Sequence, residues 1–204
     1  MTKGHLYIIS APSGAGKTSL INALVPGVEK VQVSVSHTTR PKREQEREGQ
    51  HYFFVDQATF LQMQTSQCFL ESAQVFGYYY GTSRQAVDQA LAEGQDVILE
   101  IDWQGARQVR KLYPESLGIF ILPPSLQALK ERLAQRGQDD AATINRRLAL
   151  AQMEISHYAD YDYLIVNDVF SESLQKLKAV LLAQRQSLPA QKQSQALLLA
   201  SLLS

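Results

Sequence analysis

The segment Ala11-Pro12-Ser13-Gly14-Ala15-Gly16-Lys17-Thr18 stands between an apolar run, Leu6 to Ile9, and the helix-like Ser19-Leu20-Ile21-Asn22-Ala23-Leu24. Strand, glycine-rich turn and helix in that order demand a sheet whose strand end opens onto a helix N-terminus. Loop glycines let backbone N–H groups turn inward around phosphate oxygens. Lys17 adds a mobile positive charge, and Thr18 offers a hydroxyl to magnesium. The whole of Ala11 to Thr18 is therefore a candidate site for a nucleoside triphosphate. The pattern usually begins with glycine, and here that position is Ala11. Alanine would cost on the order of 1 kcal/mol or more at a positive φ, so a strand-closing residue with ordinary angles is expected there.

Around this loop, short apolar runs alternate with helical patterns: Leu6 to Ile9, Val31 to Val35, Val97 to Ile101, Gly118 to Leu122 and Leu164 to Val166. Such alternation predicts an α/β fold, a mainly parallel central sheet flanked by helices. Ser83 is placed to cap a helix ending at Gly94, and Ser125 one ending near Gly137. With 204 residues, 45% of them hydrophobic, the chain can bury a sizeable core.

Twenty basic and twenty acidic residues cancel, which argues against a nucleic-acid polymer as partner and makes any basic site local. The apolar runs are too short to span a bilayer and no cleavable leader precedes Ser10, so no membrane association and a cytoplasmic location are expected. A single cysteine, Cys68, excludes an intrachain disulfide and is expected in the core. The four histidines show no ligand spacing, so magnesium arriving with nucleotide is the only metal expected.

Two regions interrupt the rhythm. Residues 34–84 read as a small inserted α/β unit with antiparallel pairing. Residues 126–157 read as two helices forming a lid, their apolar positions too sparse for a buried element. The core is then 5–33, 85–125 and 158–183. The tail, 184–204, is expected to be partly helical, its leucines either mediating a homo-oligomer or packing on the core.

The inserted unit opens with Ser36-His37-Thr38-Thr39-Arg40, followed by Arg43, Glu46, Gly49 and Tyr52. Two arginine forks and a tyrosine hydroxyl are suited to a monophosphate, although a solvated charged loop has the same composition. This segment closely resembles the SxTTRxxRxxExxGxxYxF motif of the guanylate kinases. Further matches are Phe69-Leu70-Glu71, Tyr79-Tyr80-Gly81-Thr82, Glu100-Ile101-Asp102-Trp103-Gln104-Gly105, Ile144-Asn145-Arg146-Arg147-Leu148 and Ile165-Val166-Asn167-Asp168. The resemblance spans about residues 5–183.

The resemblance implies an ATP-dependent kinase acting on GMP, with dGMP as a second acceptor and Mg2+ as cofactor. It assigns the acceptor site to Ser36, Arg40, Arg43, Tyr52, Glu71, Tyr80, Thr82 and Asp102. Guanine's ring N–H and amine call for carboxylates, its carbonyl for a hydroxyl; the resemblance gives these parts to Glu71 and Asp102, and to Ser36 and Thr82. Lys17, Arg40, Arg43, Arg136 and Arg147 are the expected catalytic cations, with Thr18 at the metal. Arg132 and Arg136 share a helical face, and family position favours Arg147 over Arg146. Glu100 replaces a common aspartate, and Asn167 is expected near the adenine or as a helix cap. The rival reading, an inactive scaffold domain of the same fold, is disfavoured by the intact loop and lid arginines.

Overall fold

A computed structural model describes residues 3–75, 77–135 and 141–204. Its main sheet has five strands, all parallel, in the order β2-β7-β1-β8-β9: β1 is Leu6–Ser10, β2 Val31–Val33, β7 Asp96–Glu100, β8 Leu117–Leu122 and β9 Tyr163–Val166. β1 lies at the centre, and every one of its residues is buried. Successive side chains of a strand point to opposite faces, and both faces of β1 meet helices. Tyr7 and Ile9 pack with Leu20, Ile21 and Leu24 of α1 (Lys17–Leu24) and with Leu177 and Leu181 of α7 (Phe170–Arg185). Leu6 and Ile8 pack with Val87 and Leu91 of α3 (Arg84–Ala92) and Val109 of α4 (Trp103–Leu112). Burial on both sides is why these strands read as unbroken apolar runs rather than as alternation.

The second sheet has the order β4-β3-β6-β5, with β3 at His37–Thr38, β4 at Phe53–Phe54, β5 at Phe69–Val75 and β6 at Tyr78–Ser83. Its pairing is antiparallel except between β3 and β4, which run parallel. Asp56 caps α2 (Gln57–Thr65), its carboxylate accepting the Thr59 amide at 2.7 Å. Phe60 of that helix is fully buried, stacked between Phe69 and Tyr79. Leu70 joins the α3–α4 side of the main core, so β5 ties the two sheets together.

Two expectations need correction. Cys68 is exposed, because the turn after α2 faces it outward while Phe69 and Leu70 take the core positions. Nor are the helices of 126–157 free of buried residues: Leu129 and Leu133 of α5 (Leu126–Gln135) and Ala151 of α6 (Ala141–Ile155) are fully buried. A Cβ at Gly14 would come within 3.0 Å of Leu129 and 3.1 Å of Leu133, so α5 sits directly on the glycine-rich loop. The tail forms α8 (Leu188–Ser194) and α9 (Ala196–Leu203), and Leu197 and Leu203 remain 89% and 85% exposed. Packing of those leucines on the core is thereby ruled out. Among the described residues no helix is long and apolar enough to cross a membrane.

Candidate active site

The glycine-rich loop leaves the C-terminal end of β1 and enters α1, with Gly16 as N-cap. Gly14 and Gly16 have φ of 92° and 93°, in the left-handed region that glycine enters without a Cβ penalty. Ala11 is not among the residues with positive φ, which explains why alanine is tolerated at the loop's first position. Asn167 braces the turn from the end of β9. Its amide donates to the Ala15 carbonyl at 2.8 Å, and Arg132 donates to the Asn167 carbonyl at 2.9 Å. Asn167 therefore supports the loop and does not cap α7, whose N-cap is Val169.

Strand β7 ends beside this loop, as a central parallel pair requires, and delivers Glu100, Ile101 and Asp102 to the same crevice. Lys17 Nζ reaches the Ile101 carbonyl at 3.4 Å and lies 3.9 Å from Glu100. The Thr18 hydroxyl donates to Glu100 Oε1. Glu100 thus touches both loop residues whose chemistry suits a triphosphate and its metal.

A cavity of about 340 Å³ opens between loop and second sheet, walled by Ser13, Lys17, Ser36, Tyr52, Glu71, Tyr80, Asp102 and Glu154 among others. Glu71 is 4% exposed and accepts the Thr82 hydroxyl at 2.6 Å; Ser36 and Thr82 hydroxyls lie 3.3 Å apart. Thr82 commits its single proton to Glu71 and stands behind the wall, whereas Ser36 faces the cavity. Burial pushes the Glu71 carboxyl up to about 7, helped by the negative charge of Asp102 and opposed by the Thr82 hydrogen bond. Asp102 caps α4 through the Gly105 amide at 2.9 Å while also lining the cavity, so cap and site roles coexist. Gly105 makes that arrangement possible: a Cβ there would lie 2.7 Å from Glu71 Oε2. Gln108, one turn further along α4, accepts the Ser72 amide at 3.1 Å and donates to the Ser72 carbonyl at 2.9 Å, fixing β5 beside the helix.

Tyr52 and Tyr80 form the cavity's other end, their rings 5.9 Å apart. Burial, with the nearby charge of Glu100, pushes the Tyr52 hydroxyl up to about 12, keeping it a neutral donor. Arg40 lies behind them, its guanidinium 5.5 Å from the Tyr52 ring and 2.6 Å from Glu46. Glu46 also accepts the Arg43 amide at 2.9 Å, while the Arg43 side chain is exposed. Neither arginine lines the cavity. Arg147 borders an adjoining recess of about 310 Å³ with Ser13, Asp102, Trp103 and Glu154, and Arg146 is exposed. Arg136 lies outside the described residues. A further recess of about 340 Å³ on the far side of the loop is lined by Gly14, Gly16, Ser19, Arg132, Asn167 and Phe170 among others.

Glu154 and Gln108 escaped the sequence reading. Glu46 is read there as a motif residue three positions after Arg43, with no role assigned. Among the described residues no three His, Cys, Asp or Glu side chains cluster to hold a metal by themselves. The paired oxygens of Thr18 and Glu100 suit Mg2+, a hard ion usually bound by one or two protein oxygens together with substrate phosphates.

Known proteins are similar to this chain in sequence and in fold. The family model described as guanylate kinase matches residues 3–184. The guanylate kinase of Methylococcus capsulatus is 55% identical over 203 residues, covering 100% of both chains. That of Escherichia coli K12 is 53% identical over 206 residues, again covering 100% of both. The crystal structure of guanylate kinase from Anaplasma phagocytophilum superposes with a TM-score of 0.76 at 33% identity, covering 92% of this chain and 89% of that one. The chain belongs to the guanylate kinase family.

Proposed function

We propose that the chain is an ATP-dependent guanylate kinase that moves the terminal phosphate of ATP to GMP, giving ADP and GDP, and that it accepts dGMP in purine nucleotide metabolism in the cytoplasm. The observation that carries this reading is the buried Glu71 carboxylate, held by the Thr82 hydroxyl behind it and facing, with Asp102, the same cavity as the phosphate-type loop. Guanine presents two neighbouring donors to such carboxylates. Adenine presents a lone pair there, and a site built on buried polar pairing can reject the mismatched base by about 10⁴-fold.

Phosphoryl transfer asks the protein for alignment and for neutralisation of charge on the moving group. The loop amides of residues 11–18 and Lys17 hold the donor phosphates. Ser36, Glu71 and Asp102 orient guanine, with Thr82 holding the Glu71 carboxylate from behind. Tyr52, Tyr80, Arg40 and Arg43 receive the GMP phosphate, for which Arg40 must exchange Glu46 for the substrate. Arg136 and Arg147 approach the transferred group from the 126–157 lid, and the recess bordered by Arg132, Asn167 and Phe170 takes the donor base. Thr18, with Glu100 beside it, would hold Mg2+, which when bound would supply charge neutralisation to the phosphates.

An ADP-production assay with Mg2+ and ATP across GMP, dGMP, AMP, UMP and CMP tests the reading: GMP is turned over fastest, dGMP next. Turnover of AMP or UMP at the GMP rate would contradict it. The tail is proposed to self-associate through the exposed leucines of α9; light scattering of the full chain against a Leu197→Ser/Leu203→Ser variant decides that point, since equal masses remove it.

A further inference from the structure

Glu154 belongs to none of the sequence motifs above, yet its carboxylate reaches the centre of the site. It stands in the last turns of α6, lines both the main cavity and the Arg147 recess, and accepts the Ser13 backbone amide at 3.3 Å. Ser13 lies inside the loop proposed to hold the donor phosphates. A carboxylate oxygen on such an amide occupies the place of a phosphate oxygen, because both are anionic acceptors for an inward-pointing N–H. The two cannot share it. A triphosphate arriving beside an ionised Glu154 also meets like-charge repulsion in a partly desolvated cleft.

Two neighbours tie this contact to the rest of the site. Arg147 precedes Glu154 by seven residues, close to two helical turns, so both side chains project from the same face of α6. Three residues after Glu154, the His157 ring stacks on Trp103 with centroids 3.8 Å apart. Arg107 lies 5.0 Å over the same indole and pairs with Asp160 at 3.0 Å. Trp103 directly follows Asp102, so the end of α6 rests on the first turn of the helix that carries an acceptor-site carboxylate.

We propose that Glu154 is a positioning residue: it occupies the Ser13 amide in the absence of donor, is displaced by the donor's phosphates, and so couples donor binding to the placement of α6 and Arg147. This rests on the reading of residues 11–18 as the donor loop. Burial raises the Glu154 carboxyl above its usual range, opposed by the Ser13 amide and by Lys17, while Asp102 adds to the rise. A group so disposed is readily released from the loop.

Trp103 is the sole tryptophan and reports directly on this end of α6. Mg2+-ADP and a non-hydrolysable ATP analogue are titrated, without GMP, into the full chain and into Glu154→Gln and Glu154→Ala, by calorimetry and by tryptophan fluorescence. Both variants are expected to bind ADP more tightly, by about tenfold, the size of one charge-assisted hydrogen bond no longer surrendered. Ligand-free emission in the variants is expected to lie closer to the wild-type ADP-bound value. A merely structural contact predicts the reverse, weaker ADP binding with a lower melting temperature, and that result or unchanged ADP affinity in both variants overturns the proposal. Wild-type protein that binds no ADP removes the donor-loop reading and the inference with it. Wild-type protein that fails to phosphorylate GMP while the Glu154 effect persists upholds the inference and removes only the choice of acceptor.

Discussion

If Glu71 accepts hydrogen bonds from guanine, GMP affinity must follow the ionisation of that carboxyl. In the ligand-free site its pKa is about 7, set chiefly by burial. The protonated form turns an O–H toward guanine's own donors, so only the carboxylate binds productively. The sign follows: affinity is full above pH 7 and is lost as pH falls through it. Between pH 8 and pH 6 the ionised fraction drops by about tenfold, equivalent to about 1.4 kcal/mol of binding free energy. Calorimetry at pH 7 in two buffers of different ionisation enthalpy should also show release of about half a proton per GMP bound. A phosphate's second pKa near 6 contributes to the same trend, so guanosine, which has no phosphate, serves as the control ligand. Glu71→Gln should weaken guanosine and GMP by about 1–3 kcal/mol through an impaired buried contact and abolish the pH dependence of guanosine binding. Guanosine affinity that is flat from pH 6 to 8, or that improves on acidification, refutes the assignment of Glu71 to the base.

Other substitutions separate the parts of the site. Lys17→Met should lose most of the turnover while leaving the calorimetric GMP dissociation constant unchanged; equal loss of GMP affinity contradicts two separate nucleotide sites. Gly105→Ala places a Cβ 2.7 Å from Glu71 Oε2, and overpacking of that kind costs about 1–3 kcal/mol. The expected readout is a raised KM for GMP with the KM for ATP unaltered. Asn167→Ala removes the donor that meets the Ala15 carbonyl at 2.8 Å. Leaving that group unmet should lower stability in urea by about 1–3 kcal/mol and weaken ATP; an unchanged denaturation midpoint would show that the brace is dispensable.

The loop was legible in the sequence because its physics is local: glycines at positive φ, a lysine, and a hydroxyl at a helix start, all within eight residues. The central strands were legible for a similar reason, since burial on both faces leaves continuous apolar runs. Where the sequence misled, contacts between distant segments decide. Leu129 and Leu133 look like sparse apolar positions on a surface helix until Gly14 exposes a Cβ-free surface for them to cover. Glu154 meets Ser13 across 141 residues, and Gln108 meets Ser72 across 36. Nothing in either local sequence marks such a partner. Glu46 reads as one acid among several in a charged loop, yet its carboxylate takes both the Arg40 guanidinium and the Arg43 amide.

Three acids of the site share a logic. Glu46 holds Arg40, Glu100 contacts Lys17 and Thr18, and Glu154 holds the Ser13 amide. In each case a carboxylate stands on a cation or donor that the proposed reaction turns toward phosphate. Left unpaired in a narrow cleft, these cations would repel one another and carry an unmet desolvation cost. With internal partners, phosphate binding becomes an exchange of one anion for another, and its net gain is far smaller than the gross charge attraction. The consequence is selectivity for ligands that displace several acids at once. Inorganic phosphate can relieve one such pair, a nucleoside none, and a correctly joined nucleotide the whole set at its end of the cleft.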